Sequence, residues 1–183
     1  MELFDLINQN DELEGKTNKT ESHKKGLLHR VVAVFVFDAQ GNLLVQKRSD
    51  NGKLDHSIGG HVSAGETYEQ AVSREAMEEL LISEKVDFVA KFLADQFFTG
   101  KSILHMFSLF EYQLPIDWVF SPTDEVKTLI PTPLIEVIKE MNESPWKFTG
   151  GFILTMNEYL KHRRIEVKKI LNLKNIKKCY SKK

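Results

Sequence analysis

The stretch Gly59-Gly60-His61-Val62-Ser63-Ala64-Gly65-Glu66, running directly into Thr67-Tyr68-Glu69-Gln70-Ala71-Val72-Ser73-Arg74-Glu75-Ala76-Met77-Glu78-Glu79-Leu80, leaves the chain little conformational choice. Thr67 and Gln70 stand at capping-box spacing, which predicts a helix over 67–81 with Thr67 as its N-cap. That start fixes the register. Glu75, Glu78 and Glu79 then occupy i, i+3 and i+4 on one face, beside an apolar stripe of Val72, Ala76 and Leu80. The stripe must be buried, so the acidic patch lies along the edge of a core. Three like charges within a turn repel, by a few tenths of a kcal/mol (~0.2–0.5) per pair in the open and by more near a core. A hard divalent cation offsets this: Mg²⁺ or Mn²⁺ takes oxygen ligands and reaches substrate phosphates through its remaining positions. Gly59-Gly60 allows close backbone approach and a carbonyl ligand, Gly65 a tight entry to the helix, and Arg74 can reach back to Glu66 as a brace. A solvated acidic helix face, the ordinary meaning of such a cluster, leaves the glycines, Glu66 and Arg74 unexplained.

Elsewhere the pattern changes to that of strands. Leu27–Phe37 is rich in β-branched and aromatic residues, breaks at Asp38-Ala39-Gln40-Gly41-Asn42 and resumes over Leu43–Arg48, which predicts two long antiparallel strands. Further strands are expected at Asp87–Ala94 and Ile103–Tyr112, and helices at Pro133–Met141 and Gly151–Arg164. Residues 1–25 read as an arm or edge hairpin, 26–164 as one domain and 165–183 as a basic tail. The mixture argues for α+β or a mixed-sheet α/β sandwich, without a Gly-rich nucleotide fingerprint between strand and helix.

With 42% apolar and 28% charged residues, 183 residues suffice for one domain with a true core. No apolar run approaches the ~18 residues of a spanning helix, and no basic-then-apolar leader opens the chain, so a soluble, cytoplasmic protein is expected. The single cysteine, Cys179, excludes an intrachain disulfide or a two-cysteine redox centre. The net charge of −1 conceals a tail, residues 161–183, with ten Lys/Arg against Glu166, and an acidic body before it. Such a body suits a polyanionic partner only where metal cations intervene, whereas nucleic-acid binding would rest on the tail alone and membrane binding is not expected.

The central stretch resembles the Nudix box: Gly, five residues, Glu, seven residues, Arg-Glu, an apolar residue, any residue, Glu-Glu, any residue, Gly, apolar. Gly60, Glu66, Arg74, Glu75, Ala76, Glu78, Glu79 and Ile82 fill it; Leu81 stands where the family usually places the glycine that ends the helix, which questions the helix exit. The resemblance implies a Nudix-type α/β/α sandwich and metal-dependent cleavage of a nucleoside diphosphate derivative. It makes Glu75, Glu78 and Glu79 the catalytic carboxylates and metal ligands, adds the Gly60 carbonyl, and makes Glu66 and Arg74 the brace. Gly26–Arg30, Leu44–Asp50, Gly60-His61 and Ser144–Thr149 further resemble type 1 isopentenyl diphosphate isomerases and their hydrolase-like relatives. In the isomerases three histidines and two glutamates hold a metal and a cysteine beside the box moves the proton. His23, His29 and His61 stand at or near those histidines, Gly59 replaces the cysteine, and Gly100–Ile103 lacks the acidic pair. A hydrolase is therefore expected, with an isomerase-like enzyme or a non-catalytic diphosphate-binding module as the alternatives.

The remaining candidates carry both a structural and a functional reading. His29 within a strand suits a sheet face as well as a metal, His61 suits the pocket, and His56 and His105 belong to no constellation. Lys47 and Arg48 end a strand near the box and are candidates for phosphate contact. Trp146 is a candidate lid or stacking residue, or a wedge under the last helix. Glu125 is expected to cap. Glu75 is the first candidate for the base that takes the proton of the attacking water.

Overall fold

The computed structural model describes residues 2–98 and 101–165. Its organising element is β3, His29–Phe37, whose run Val-Val-Ala-Val-Phe-Val is buried on both faces. A strand apolar at every position belongs at the centre of a covered sheet. It pairs in parallel with β8 (Lys101–Gln113) from His29↔His105 to Phe37↔Gln113, and antiparallel with β6 (Ile58–His61) from Val31↔His61 to Val34↔Ile58. β7 (Asp87–Phe98) extends the sheet beyond β8.

Strands β3 and β4 (Asn42–Lys47) do not form the long pair that their sequences suggest. They meet only at Phe37↔Leu43, next to a turn in which Asp38 accepts hydrogen bonds from the Gln40 and Asn42 amides. Beyond that turn β4 pairs with β5 (Leu54–Asp55) and β9 (Leu129–Pro133), and β6 takes the place beside β3. β6 escapes sequence analysis because Gly59-Gly60 has low strand propensity, and β9 because Pro131 and Pro133 fit only an edge. The first residues form the hairpin β1 (Phe4–Ile7) and β2 (Leu13–Thr17), joined to the sheet at Leu6↔His29, followed by α1 (Lys19–Lys25).

Alternation along β3 sorts the core into two layers. Val32, Val34 and Val36 pack with Ile58 and Val62 against Ala71, Val72, Ala76 and Leu80 of α2 (Tyr68–Leu80). Val31, Ala33 and Phe35 pack with Phe107 and Leu109 against α3 (Leu134–Glu143) and α4 (Gly150–His162). The result is an α/β/α sandwich. Residues 166–183, most of the expected basic tail with Cys179, lie outside the described residues. No described helix is long and apolar enough to cross a membrane.

Candidate active site

α2 starts where its capping box places it. The Thr67 side chain accepts from the Gln70 amide (3.2 Å) and the Gln70 side chain accepts from the Thr67 amide (2.9 Å). The helix ends at Leu80 without running on. Leu81 adopts φ +56°, its amide donating to Met77 O and that of Ile82 to Ala76 O. A leucine thus takes the left-handed conformation that glycine adopts without cost, at ~1–2 kcal/mol.

The loop before α2 is held by Arg74. Its guanidinium donates to both oxygens of Glu66 (2.9 and 3.0 Å), to the His61 carbonyl (3.1 Å), to Glu75 Oε1 (2.8 Å) and to Glu78 Oε2 (3.1 Å). Glu66 also accepts from the Ser63 amide (2.9 Å). Glu66 and Arg74 form the brace that the sequence suggests, and because Arg74 reaches Glu75 as well, it orients a carboxylate of the site.

Glu75 and Glu79 are 6% and 4% exposed, and each has an oxygen within 4.8 Å of an oxygen of Glu125 and of the other. Burial raises the pKa of both, that of Glu79 strongly, helped by the charges of Glu78 and Glu125 at Glu75 and of Glu75, Glu125 and Asp55 at Glu79. Glu79 accepts only from the Gly59 amide (3.2 Å), and its second oxygen has no hydrogen-bond partner. A carboxylate trio with two members buried and one Glu79 oxygen left without a donor fits a hard cation. Glu78 stays outside this trio: its side chain is about half exposed and turned to Arg74. Gly60 is required sterically, since a Cβ there would fall 1.9 Å from Glu75 Oε1.

Glu125 belongs to the site and does not cap. The loop carrying it is fixed by Thr123, whose hydroxyl donates to the Glu79 carbonyl (3.0 Å) and accepts from the Val126 amide (3.1 Å), while Val126 is fully buried. No local pattern links this loop to α2, 44 residues earlier for the Thr123–Glu79 bond.

A cavity of about 480 Å³ opens beside these groups, lined by Glu79 and Glu125 at one end and His23, His61 and His105 at the other, with Gly59-Gly60 between. Gln46 and Arg48 line it as well, whereas Lys47 points away on the alternate face of β4. Arg48 is held by Asp50 (2.9 and 2.8 Å) and by Asp55 (3.1 Å). Buried Asp55 accepts from Thr149 (2.7 Å) and lies 2.9 Å from His56 Nδ1, and these partners hold its pKa below the ordinary carboxylate value despite burial. His56 Nε2 lies 2.6 Å from the Thr155 hydroxyl, so the residue is engaged in the cavity wall. Trp146, in the 3₁₀ turn Pro145–Lys147, is 68% exposed and absent from the cavity lining; it neither covers this site nor wedges a helix.

His105 does have a constellation. Its parallel pairing with His29 places both on the sheet face that also carries His61, and His23 of α1 closes over them. The rings lie 4.6–6.1 Å apart, and Phe4 stacks on His61 at 4.5 Å. Burial lowers their pKa values, helped by neighbouring imidazoles at His29, His61 and His105 and by Lys19 at His23, that of His29 to about 4 and that of His61 to about 3.

The profile of the NUDIX domain matches residues 27–153. The chain belongs to the NUDIX domain family. It is 30% identical over 162 residues to an isopentenyl-diphosphate Delta-isomerase of Serratia proteamaculans, a match that covers 86% of this chain and 90% of that protein. It is 42% identical over 84 residues to a Nudix hydrolase of Deinococcus radiodurans, covering 43% of this chain and 49% of that protein; several other relatives are likewise matched over about half their length. The crystal structure of DR0079 from Deinococcus radiodurans superposes with a TM-score of 0.68 at 27% identity, covering 85% of this chain and 97% of that one. The family and the sandwich agree with the box read from the sequence.

Proposed function

We propose that this NUDIX protein is a metal-dependent pyrophosphohydrolase that cleaves a diphosphate linkage in a nucleoside diphosphate derivative or a related small molecule. The observation that carries this reading is the convergence of Glu75, Glu79 and Glu125 on one another, the last two lining a cavity, with one Glu79 oxygen lacking any donor. Mg²⁺ or Mn²⁺ held there would neutralise the diphosphate and acidify a bound water. Glu78, beside Glu75 and Glu79 on the same helix face, is the next carboxylate in reach of a second ion.

The chain's own groups supply the rest. Arg74 holds Glu75 Oε1 and leaves Oε2 to accept the proton of the attacking water. The missing side chain at Gly60 leaves room for that carboxylate, and Gly60, whose carbonyl is a candidate further ligand, lines the cavity. Arg48 and His61 line the cavity and are placed to contact an anionic substrate. Lys47 and Trp146 have no part in this arrangement.

The similarity to the Serratia isomerase over most of the chain favours a second reading, isomerisation. That chemistry needs a proton donor and an acceptor on opposite faces of an alkene; Gly59 offers neither, and Cys179 lies outside the described residues. One assay separates the readings. The protein is incubated with Mg²⁺ and nucleoside diphosphate derivatives, dinucleoside polyphosphates or isoprenoid diphosphates, and both phosphate-containing products and isomers are followed. Hydrolysis of a member of the panel supports the proposal. An isomer of isopentenyl diphosphate without phosphate release replaces it, and metal-dependent binding without turnover makes the chain a diphosphate-binding module.

A further inference from the structure

We propose that Asp11, in the turn between β1 and β2, is a positioning residue for the carboxylate end: it locks the N-terminal hairpin onto the loop 61–66, which is then held by β1 as well as by Arg74. The inference rests on the hydrolase reading of Glu75 and Glu79.

Asp11 takes φ +65°, a conformation that few residues other than glycine adopt and that aspartate tolerates better than most. Its carboxylate meets donors from three elements: Arg30 Nε of β3 (2.6 Å), Lys91 Nζ of β7 (2.9 Å) and the Tyr68 hydroxyl of α2 (3.1 Å to either oxygen). Arg30 Nη2 also donates to the Asp11 carbonyl (2.8 Å), and both cations lie over the Tyr68 ring, at 5.6 and 5.7 Å from its centroid. Burial opposes ionisation of Asp11, yet Arg30 and Lys91 hold its pKa below the ordinary carboxylate value.

Arg30 carries the tie onward to the loop. Its Nη1 lies 3.5 Å from Asp5 Oδ2, the same oxygen that accepts from the Gly65 amide (3.1 Å). The Leu3 carbonyl accepts from the Ala64 amide (2.7 Å), Phe4 bridges to Ser63, and the fully buried Phe4 ring stacks on His61. β1 and the residue before it thus grip residues 61, 63, 64 and 65. Small movements there reach the chemistry. The Gly60 backbone lies so near Glu75 that no Cβ fits between them, and Arg74, which holds Glu75, is itself seated on Glu66 and the His61 carbonyl. Without the charge of Asp11, Arg30 keeps Asp5 as its one anionic partner among the described residues, in competition with the Gly65 amide.

Asp11→Asn preserves side-chain size and tolerance of a positive φ and loses the charge. In the full chain, amide hydrogen exchange at Ala64 and Gly65 should quicken roughly tenfold, the equilibrium equivalent of one lost hydrogen bond, while amides of β3 and β8 keep their protection. Mn²⁺ alone, titrated by calorimetry without substrate, should bind about tenfold more weakly, the lower end of the cost of losing an outer partner of a metal ligand. Turnover should fall through kcat, with KM little changed. Lys91→Met removes a half-exposed donor, leaves Arg30 on Asp11 and should move the same readouts by less, so it keeps the test decisive if Asp11→Asn does not fold. A wild-type chain without Mn²⁺ binding would sink the hydrolase reading, and this inference with it. A wild-type chain that binds Mn²⁺, whether or not it hydrolyses a diphosphate, beside a folded variant with the same loop exchange or the same Mn²⁺ affinity, would overturn this inference alone.

Discussion

The two ends of the cavity face the same electrostatic difficulty and meet it with opposite chemistry. At one end Glu75, Glu79 and Glu125 crowd negative charge, and burial pushes the Glu75 and Glu79 carboxyls toward the protonated form. At the other, burial, with the positive charge of neighbouring imidazoles or of Lys19, lowers the pKa of four imidazoles. Asp55, as deeply buried as either group, behaves differently because Arg48, His56 and Thr149 surround it with partners. Burial alone therefore does not mark a metal site. What the carboxylate end adds to burial, as a candidate cation site, is a Glu79 oxygen without a hydrogen-bond partner.

The sharpest way to break the comparison is Glu79→Gln. Turnover should fall by roughly a thousandfold, the upper range for losing one preorganised electrostatic group, while circular dichroism stays native. Near-normal hydrolysis by the folded variant would remove the carboxylate end from the chemistry. Gly60→Ala comes next. The added methyl must displace the Glu75 carboxylate, and a shift of about 1 Å in a reacting group costs on the order of 100-fold in rate. Steady-state kinetics at saturating Mg²⁺ would show it in kcat; an unaltered kcat would mean that Glu75 is not held where its position matters.

Arg74→Lys keeps the charge and loses the fork that reaches Glu66, Glu75 and the His61 carbonyl together. Hydrogen bonds to charged groups are worth ~1.5–3 kcal/mol each, less where solvent screens them, so denaturant unfolding should show a loss of about 2 kcal/mol, with activity down about tenfold. A stability matching wild type would show that the loop stands without its brace.

Asp55 supplies the pH contrast. Its folded pKa lies below the ordinary 3.8, so the folded state binds fewer protons than the unfolded one near that value. The stabilisation is present above about 3.8 and is lost as pH falls through that value toward the lower folded pKa. Asp55→Asn should lower the melting temperature at pH 7 and flatten its decline in acid, measured by calorimetry between pH 5 and about 2; an unaltered acid limb would show that the pairing carries no stability. The smallest effect is expected at Leu81→Gly, a gain of ~1 kcal/mol from relieving the left-handed residue, with turnover unchanged. A loss of stability there would mean that the leucine side chain makes a contribution larger than its strain.

The carboxylate end was largely legible in the sequence because it is local. Capping, stripe, brace and the Glu75/Glu79 pair all lie within 23 residues, where helix geometry alone converts spacing into position. Reading stopped at Glu78, placed with the ligands by spacing but drawn by Arg74 toward solvent, and at Glu125, whose loop is fixed by Thr123 and Val126. The strands around β3 were visible as apolar runs, yet the partner of β3 was not, since adjacency in sequence pointed to β4 and the sheet chose β6 and β8.

By itself, then, the sequence determined the helix with its acidic edge and the apolar strands, because each follows from periodicities of 3.6 and 2 within a single segment, while the α/β/α sandwich was implied by the resemblance of the box. The tertiary structure alone decided the histidine cluster. Its four members sit on α1, β3, β6 and β8, and what joins them is a parallel register between β3 and β8 and an antiparallel one between β3 and β6. Strand register is set by burial across the whole sheet, and no short-range pattern encodes it.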